Sequence, residues 1–124
     1  MSYKIRFTDT AKDDLRNIAV YIAEQSKDKS IAVNFVNELR EKTKILASFP
    51  EIGSIPDDKV MKSMGYRYLV HKEYLIFYHY EAKQETSYIL AVFHSRRDYA
   101  RVMRKFLKLL LIVKLHQIIL LLRL

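Results

Sequence analysis

The sequence predicts an α+β domain, its elements running strand, helix, helix, strand, strand, strand, with an apolar helical tail behind them. Three observations predict it. Residues 3–8 alternate with period two, residues 11–49 repeat apolar side chains at three and four, and residues 66–94 hold three runs dense in Tyr, Val, Ile and Phe. A chain of 124 residues, half of them hydrophobic, buries one core and leaves no room for a second domain.

In the first strand Tyr3, Ile5 and Phe7 alternate with Lys4, Arg6 and Thr8, as one buried face requires. Ala11, Leu15, Ile18, Ala19 and Ile22 then mark one face of a helix ending near Gln25, opposite Lys12, Asp13, Asp14, Arg16 and Asn17. Thr10 and Asp13 form a capping signal at its start. Ser26, Lys27, Asp28 and Lys29 break the pattern, and a second helix follows through Ala32, Phe35, Val36, Leu39, Leu46 and Phe49, with Ser30 or Asp28 as its N-cap. So short a link makes the two helices antiparallel. Pro50, Gly53 and Pro56 end the second helix and open a loop through Asp57, Asp58 and Lys59 to Met64 and Gly65.

Strands are expected at 66–71, 74–80 and 87–94. The link Lys72-Glu73 implies a tight hairpin, although it lacks the Gly or Asn such turns prefer, and residues 81–86 make the second turn. On the third strand Tyr74, Ile76 and Tyr78 share one face, Leu75, Phe77 and His79 the other. Neither is polar, so one face packs on the helices and the other is at least partly covered as well.

The chain carries a net charge of +8, which suggests a nucleic-acid partner until its distribution is considered. Residues 1–99 hold 16 basic against 14 acidic residues, whereas Arg101, Arg104, Lys105, Lys108, Lys114 and Arg123 lie in the tail with no acid beside them. An anion site in the body is therefore a local cluster, not a broad basic face. The absence of cysteine removes disulfides, thiolate zinc sites and thiol catalysis. The start, MSYKIRFTD, lacks the basic-then-apolar pattern of an export signal, so a cytoplasmic location is expected. His71, His79, His94 and His116 show no metal spacing, and with Gly53 and Gly65 the sole glycines there is no phosphate loop or nucleophile elbow. Neither metal nor cofactor is expected, and NTPase, Rossmann and α/β-hydrolase chemistry is excluded.

The domain is taken to span residues 1–103 and the basic, apolar extension residues 104–124. Of the last 19 positions 14 are apolar, but Lys108, Lys114, His116, Gln117 and Arg123 interrupt them, so no run reaches the roughly 18–20 residues of a membrane-crossing helix. The extension is a helix covering the open sheet face or making a homo-oligomer contact, a helix lying on an anionic membrane surface, or a stretch translated past the domain's natural stop.

The remaining chemistry gathers where the last strand ends. His94, Ser95, Arg96, Arg97, Asp98 and Tyr99 follow one another, and Arg67, His71 and Lys72 lie on the neighbouring hairpin. If the last strand returns beside that hairpin, these groups form a small anion site; otherwise Arg96 and Asp98 pair on the surface, Arg97 is solvated and His94 packs or caps.

Five motifs then occur in order: A-x-x-D-L-x-x-I-x-x-Y-I-A from Ala11 to Ala23, L-x-x-F-P-x-x-G from Leu46 to Gly53, G-Y-R-x-L from Gly65 to Leu69, Y-L-I-F-Y from Tyr74 to Tyr78 and V-x-H-x-R-R-D-Y from Val92 to Tyr99. Each is weak alone; together they resemble the RelE/ParE superfamily of toxins, over residues 3–100. The resemblance implies an antiparallel sheet packed on a two-helix hairpin, in a toxin of a type II toxin-antitoxin system of the kind that stabilises plasmids. It implies a cognate antitoxin wrapping the surface, with operator DNA bound only through that antitoxin. RelE-like members cut messenger RNA on the ribosome, whereas ParE-like members poison DNA gyrase with no established catalytic set. RelE nucleases place an arginine where this chain has Leu75, and leucine cannot stabilise developing phosphate charge. The resemblance is therefore closer to ParE. Candidates for target contact are Arg67, Lys72, His94, Arg96, Arg97 and Tyr99; if the chain is a nuclease, Arg97, His94, Lys72 and Tyr99 are its catalytic candidates. Ile18, Tyr21, Ile22, Phe35 and Leu39 form the internal seam of the helical hairpin or border an antitoxin groove. A relative that only binds its partners is the third alternative.

Overall fold

The computed structural model describes residues 2–122 and, within residues 106–117, the side chains of residues 108, 111, 112 and 115 alone. The side chains of Lys114, His116 and Gln117, and Arg123 altogether, lie outside the described residues. The chain divides into two compact units, Met1–Phe93 and His94–Leu124, a division ten residues before the boundary the sequence suggested.

Strand β1 (Lys4–Phe7) runs directly into helix α1 (Asp9–Ser26). The cap is Thr8, two residues before the Thr10 signal: its hydroxyl accepts the Ala11 N–H at 3.2 Å and donates to the Ile89 carbonyl at 2.8 Å. One side chain thus starts the helix and ties that start to the sheet. Lys27 takes the left-handed conformation at the far end, and Asp28 caps α2 (Lys29–Thr43) by accepting the Ser30 N–H at 2.9 Å. The Ser30 hydroxyl and N–H together hold the Asp28 carboxyl below its usual range.

Helix α2 is shorter than its periodicity suggested, tightening at Lys44–Ala47 into a 3₁₀ turn that places Leu46 fully in the core. Inside the expected loop lies a short helix, α3 (Lys59–Ser63), whose second and third N–H groups, those of Val60 and Met61, each donate to the Asp58 carboxylate at 3.0 Å. It turns Met61 inward, leaving 3% of it exposed.

Strands β2 (Tyr66–His71), β3 (Tyr74–Glu81) and β4 (Thr86–His94) complete a sheet of order β1-β4-β3-β2. β2 and β3 are antiparallel, with Tyr66 opposite His79 and His71 opposite Tyr74, but β1 runs parallel to β4, Lys4 opposite Thr86 and Phe7 opposite Ile89. The α+β class stands; the sheet is mixed where an antiparallel one was expected.

Ala11, Leu15 and Ile18 from α1 and Leu39 from α2 meet Leu46, Ile76, Tyr78, Ile89 and Val92 in one buried cluster. On the other side of β3, Phe77 lies edge-on to Phe93 at 5.3 Å and against Tyr68 at 5.8 Å. Phe77 and Phe93 are each 2% exposed, so both faces of β3 are buried, as its sequence required. At the tight turn Lys72 adopts φ 53°, a conformation costly for a residue with a Cβ. Its ammonium sits 5.4 Å from the centre of the Phe35 ring and 3.4 Å from Glu38 Oε1, which anchors the turn to α2.

In the second unit, residues 95–98 form turns and helix α4 (Tyr99–Leu122) follows. No helix among the described residues is long and apolar enough to cross a membrane.

Candidate functional site

Three of the sequence motifs meet at Gly53. Its N–H donates to the hydroxyl of Tyr78, from Y-L-I-F-Y, at 2.8 Å, and its carbonyl accepts from Arg67 Nη1, from G-Y-R-x-L, at 3.0 Å. Ser54 and Tyr68 exchange two further main-chain bonds, of 2.8 and 2.9 Å. Only glycine fits here, because a Cβ at position 53 would stand 2.5 Å from Tyr78 Cε1, inside a fully buried ring. Burial pushes the Tyr78 phenol above its ordinary pKa, against the opposing effects of the Gly53 N–H and the Arg67 charge. The latch fixes a loop whose apolar side chains face outward: Phe49, Ile52 and Ile55 are 60%, 50% and 50% exposed. Tyr3, Phe49, Pro50, Ile52 and Tyr80 line a cleft of about 550 Å³ beside it.

Asp14, from the first motif, has a role its sequence context did not reveal. Strand β1 ends opposite Ile89, so β4 beyond that point has no ladder partner on this side; the Asp14 carboxylate accepts the Val92 N–H at 2.9 Å instead. This side chain extends the sheet where its backbone has ended.

The structure engages each target-contact candidate differently. Arg67 binds the Gly53 carbonyl and Lys72 reaches Glu38. Glu38, which sequence reading passed over, also approaches His71: Nε2 lies 3.3 Å from Oε1, close enough for an ion pair but not aligned as a hydrogen bond. In the second unit His94 Nδ1 accepts the N–H groups of Arg96 at 3.2 Å and Arg97 at 3.0 Å. That acceptance places the ring proton of neutral His94 on Nε2. Asp98 approaches Arg97 Nη2 at 3.5 Å and Arg101 Nη2 at 3.6 Å, so its pairing differs from the Arg96 contact considered from sequence. Tyr99 opens α4 and is 41% exposed.

Of the hairpin residues, Ile18 and Leu39 are buried in the core, Ile22 and Phe35 pack against it partly buried, and Tyr21 is 41% exposed. A second surface, absent from the sequence reading, runs along the sheet edge. Arg6, Lys12, Arg16 and Arg40 surround Phe7 in a cleft of about 330 Å³, the Arg40 guanidinium 5.5 Å from the ring centre. It shares Phe7 and Arg40 with a cleft of about 450 Å³ lined also by Ile5, Asn37, Glu41, Thr43 and Lys44. Arg16 pairs with Asp13, and Lys44 with Glu41, on the rim.

A family model described as the ParE toxin of the type II toxin-antitoxin system parDE matches residues 5–99. The chain belongs to the ParE toxin family. The match spans all five motifs, so the Gly53 latch, the Asp14 tie and the His94 turn all lie inside the shared region. A solved structure described as the chromosomal ParDE toxin-antitoxin system from P. aeruginosa superposes with a TM-score of 0.62 at 18% identity, covering 74% of this chain and 95% of that one. The RelBE2 toxin-antitoxin complex from Mycobacterium tuberculosis gives a TM-score of 0.51 at 22% identity, covering 76% and 99%. At these identities both likenesses establish the fold alone. No curated protein sequence matches the chain.

Proposed function

We propose that this ParE-family toxin acts in the cytoplasm by poisoning DNA gyrase, without cutting RNA. The supporting observation is the engagement of His94. Cleavage by a ribose 2′-hydroxyl needs a proton acceptor, a proton donor and cations placed around the phosphorane. His94 holds two backbone N–H groups with the lone pair that a base would use, and Leu75 stands where RelE nucleases carry an arginine. Arg97, its side chain 41% exposed, is the target-contact residue of this reading. Inducing the chain without antitoxin should arrest growth with gyrase-linked double-strand breaks, and Arg97→Ala should relieve the arrest while the fold is kept. Arrest with codon-phased transcript cuts on ribosomes would refute the gyrase reading in favour of RNA cleavage, and no arrest would leave a protein that only binds.

The β1 edge is the proposed seat of the antitoxin. Lys4 donates its N–H to the Glu85 carbonyl just before β4 and Thr8 donates its own to Ile89 within β4, so by alternation Ile5 and Phe7 present theirs outward. An extended segment could pair there over the apolar Ile5 and Phe7, with its carboxylates toward Arg6, Lys12, Arg16 and Arg40. Exchanging Arg6 and Arg40 for Glu should weaken antitoxin binding about tenfold or more; unchanged affinity would move the seat elsewhere, Tyr21 on the hairpin being the next candidate.

A further inference from the structure

Helix α4 continues past residue 99, where the family match ends, and its two halves differ in character. Arg101, Arg104, Lys105 and Lys108 are exposed along the first half. In the second half Leu111, Leu115, Ile118 and Leu122 recur at four, three and four on one face, with Ile112 and Ile119 beside them, and these six are between 48% and 62% exposed. Side chains of this size left in water across three turns are a binding surface.

Charge decides the occupant. Asp98 lies 3.6 Å from Arg101 and no acidic residue follows it in the sequence, so the helix itself supplies no acidic partner for Arg104, Lys105 and Lys108. Two copies paired in parallel through α4 would set cations against cations, and paired antiparallel would set them against the apolar half; neither offers the opposite charges that specify helix pairing. An anionic leaflet meets both halves at once. From Leu111 to Leu122 the helix rises roughly 18 Å, too little for a hydrocarbon layer of about 30 Å but enough to enter one leaflet.

We propose that α4 anchors this toxin to an anionic membrane surface, its apolar half in the acyl region and Arg101, Arg104, Lys105 and Lys108 among the headgroups. Apolar burial combined with a basic cluster is the pairing of signals that gives stable peripheral attachment.

The test is co-sedimentation of the full chain with phosphatidylcholine vesicles and with vesicles containing about one-third phosphatidylglycerol. Partitioning should be about tenfold or more stronger on the anionic vesicles and fall steeply in roughly 1 M salt. Replacing Leu115 and Ile118 by Gln should weaken binding to both vesicles, and replacing the four cations by Gln should abolish the preference for the anionic ones; both sets are exposed, so circular dichroism should be unchanged. Equal binding to the two vesicles, no binding, or a vesicle-free oligomer in sedimentation velocity that the Leu115/Ile118 variant dissociates would each overturn the proposal. Because the readout is partitioning, its result is separate from that of the gyrase assay.

Discussion

Replacing Tyr78 by Phe removes one oxygen atom from a fully buried ring and leaves the packing around the ring intact. The hydroxyl accepts the N–H of Gly53 at 2.8 Å. The loop still keeps the Arg67 bond to the Gly53 carbonyl and the two bonds between Ser54 and Tyr68. It therefore stays in place, and the Gly53 N–H stays buried without an acceptor. The net worth of an ordinary hydrogen bond is about 0.5–1.5 kcal/mol, but a buried donor left unpaired costs about 1–3 kcal/mol. The larger figure applies, and in a domain of this size each kcal/mol lowers Tm by about 4–8 °C. Urea unfolding of the full chain at pH 7, followed by circular dichroism, should show a shifted midpoint at unchanged slope. A loss under about 0.5 kcal/mol would refute the reasoning, because it would mean that the loop gives way or that water replaces the hydroxyl. Alkaline titration is an independent check. Burial raises the Tyr78 phenol above 10.0, so the unfolded chain loses this proton first. The contribution is intact below pH 10 and is lost as pH climbs toward the folded value. Tyr66 is raised by burial as well, so Tyr78→Phe should make the alkaline loss shallower without abolishing it.

Gly53→Ala attacks the same latch from the other side: with its Cβ 2.5 Å from Tyr78 Cε1, it should cost about 1–3 kcal/mol by overpacking. Proteolysis should then nick the loop at residues 49–56, and a loop as resistant as that of the unsubstituted chain would count against the latch. Asp14→Ala removes a charged acceptor from the Val92 N–H and should cost about 1.5–3 kcal/mol. Hydrogen exchange at Val92 should accelerate more than at Ile76; equal acceleration would mean that the carboxylate supports the whole fold and not the end of β4.

Elements with a local cause were legible in the sequence. The β2–β3 hairpin, helices α1 and α2 and the doubly buried β3 follow from side-chain period and residue type, which act over a few residues. What was not legible depends on partners distant in sequence. Nothing near Lys4 announces that it lies opposite Thr86, because a parallel pairing needs no turn between its strands. Thr8 displaced Thr10 as the cap for the same reason, since its hydroxyl is also claimed by the Ile89 carbonyl. Helix α3 had a readable cue in Asp58, but five residues carry too little periodicity to reveal a helix. The Gly53, Arg67 and Tyr78 motifs were each visible, while their meeting point was not. Glu38 resembled any solvated helix carboxylate until the hairpin brought His71 and Lys72 to it.

The two readings of the target make opposite demands on His94, and one substitution separates them. Asn places its amide oxygen about where the Nδ1 of histidine lies and accepts N–H groups in the same local geometry. His94→Asn therefore keeps the acceptor for Arg96 and Arg97 while deleting Nε2 and every route for proton transfer through the ring. If His94 serves only to shape the turn that presents Arg97 and Tyr99, the Asn variant should arrest growth as fully as the original chain, and His94→Ala should be weaker by about the worth of a cap, roughly 1 kcal/mol in stability. If His94 carries a proton in RNA cleavage, Asn and Ala should be equally inactive, with losses of about 10²-fold or more. Equal inactivity in two variants that both fold would overturn the assignment of His94 as a capping residue and, with it, the argument against nuclease chemistry.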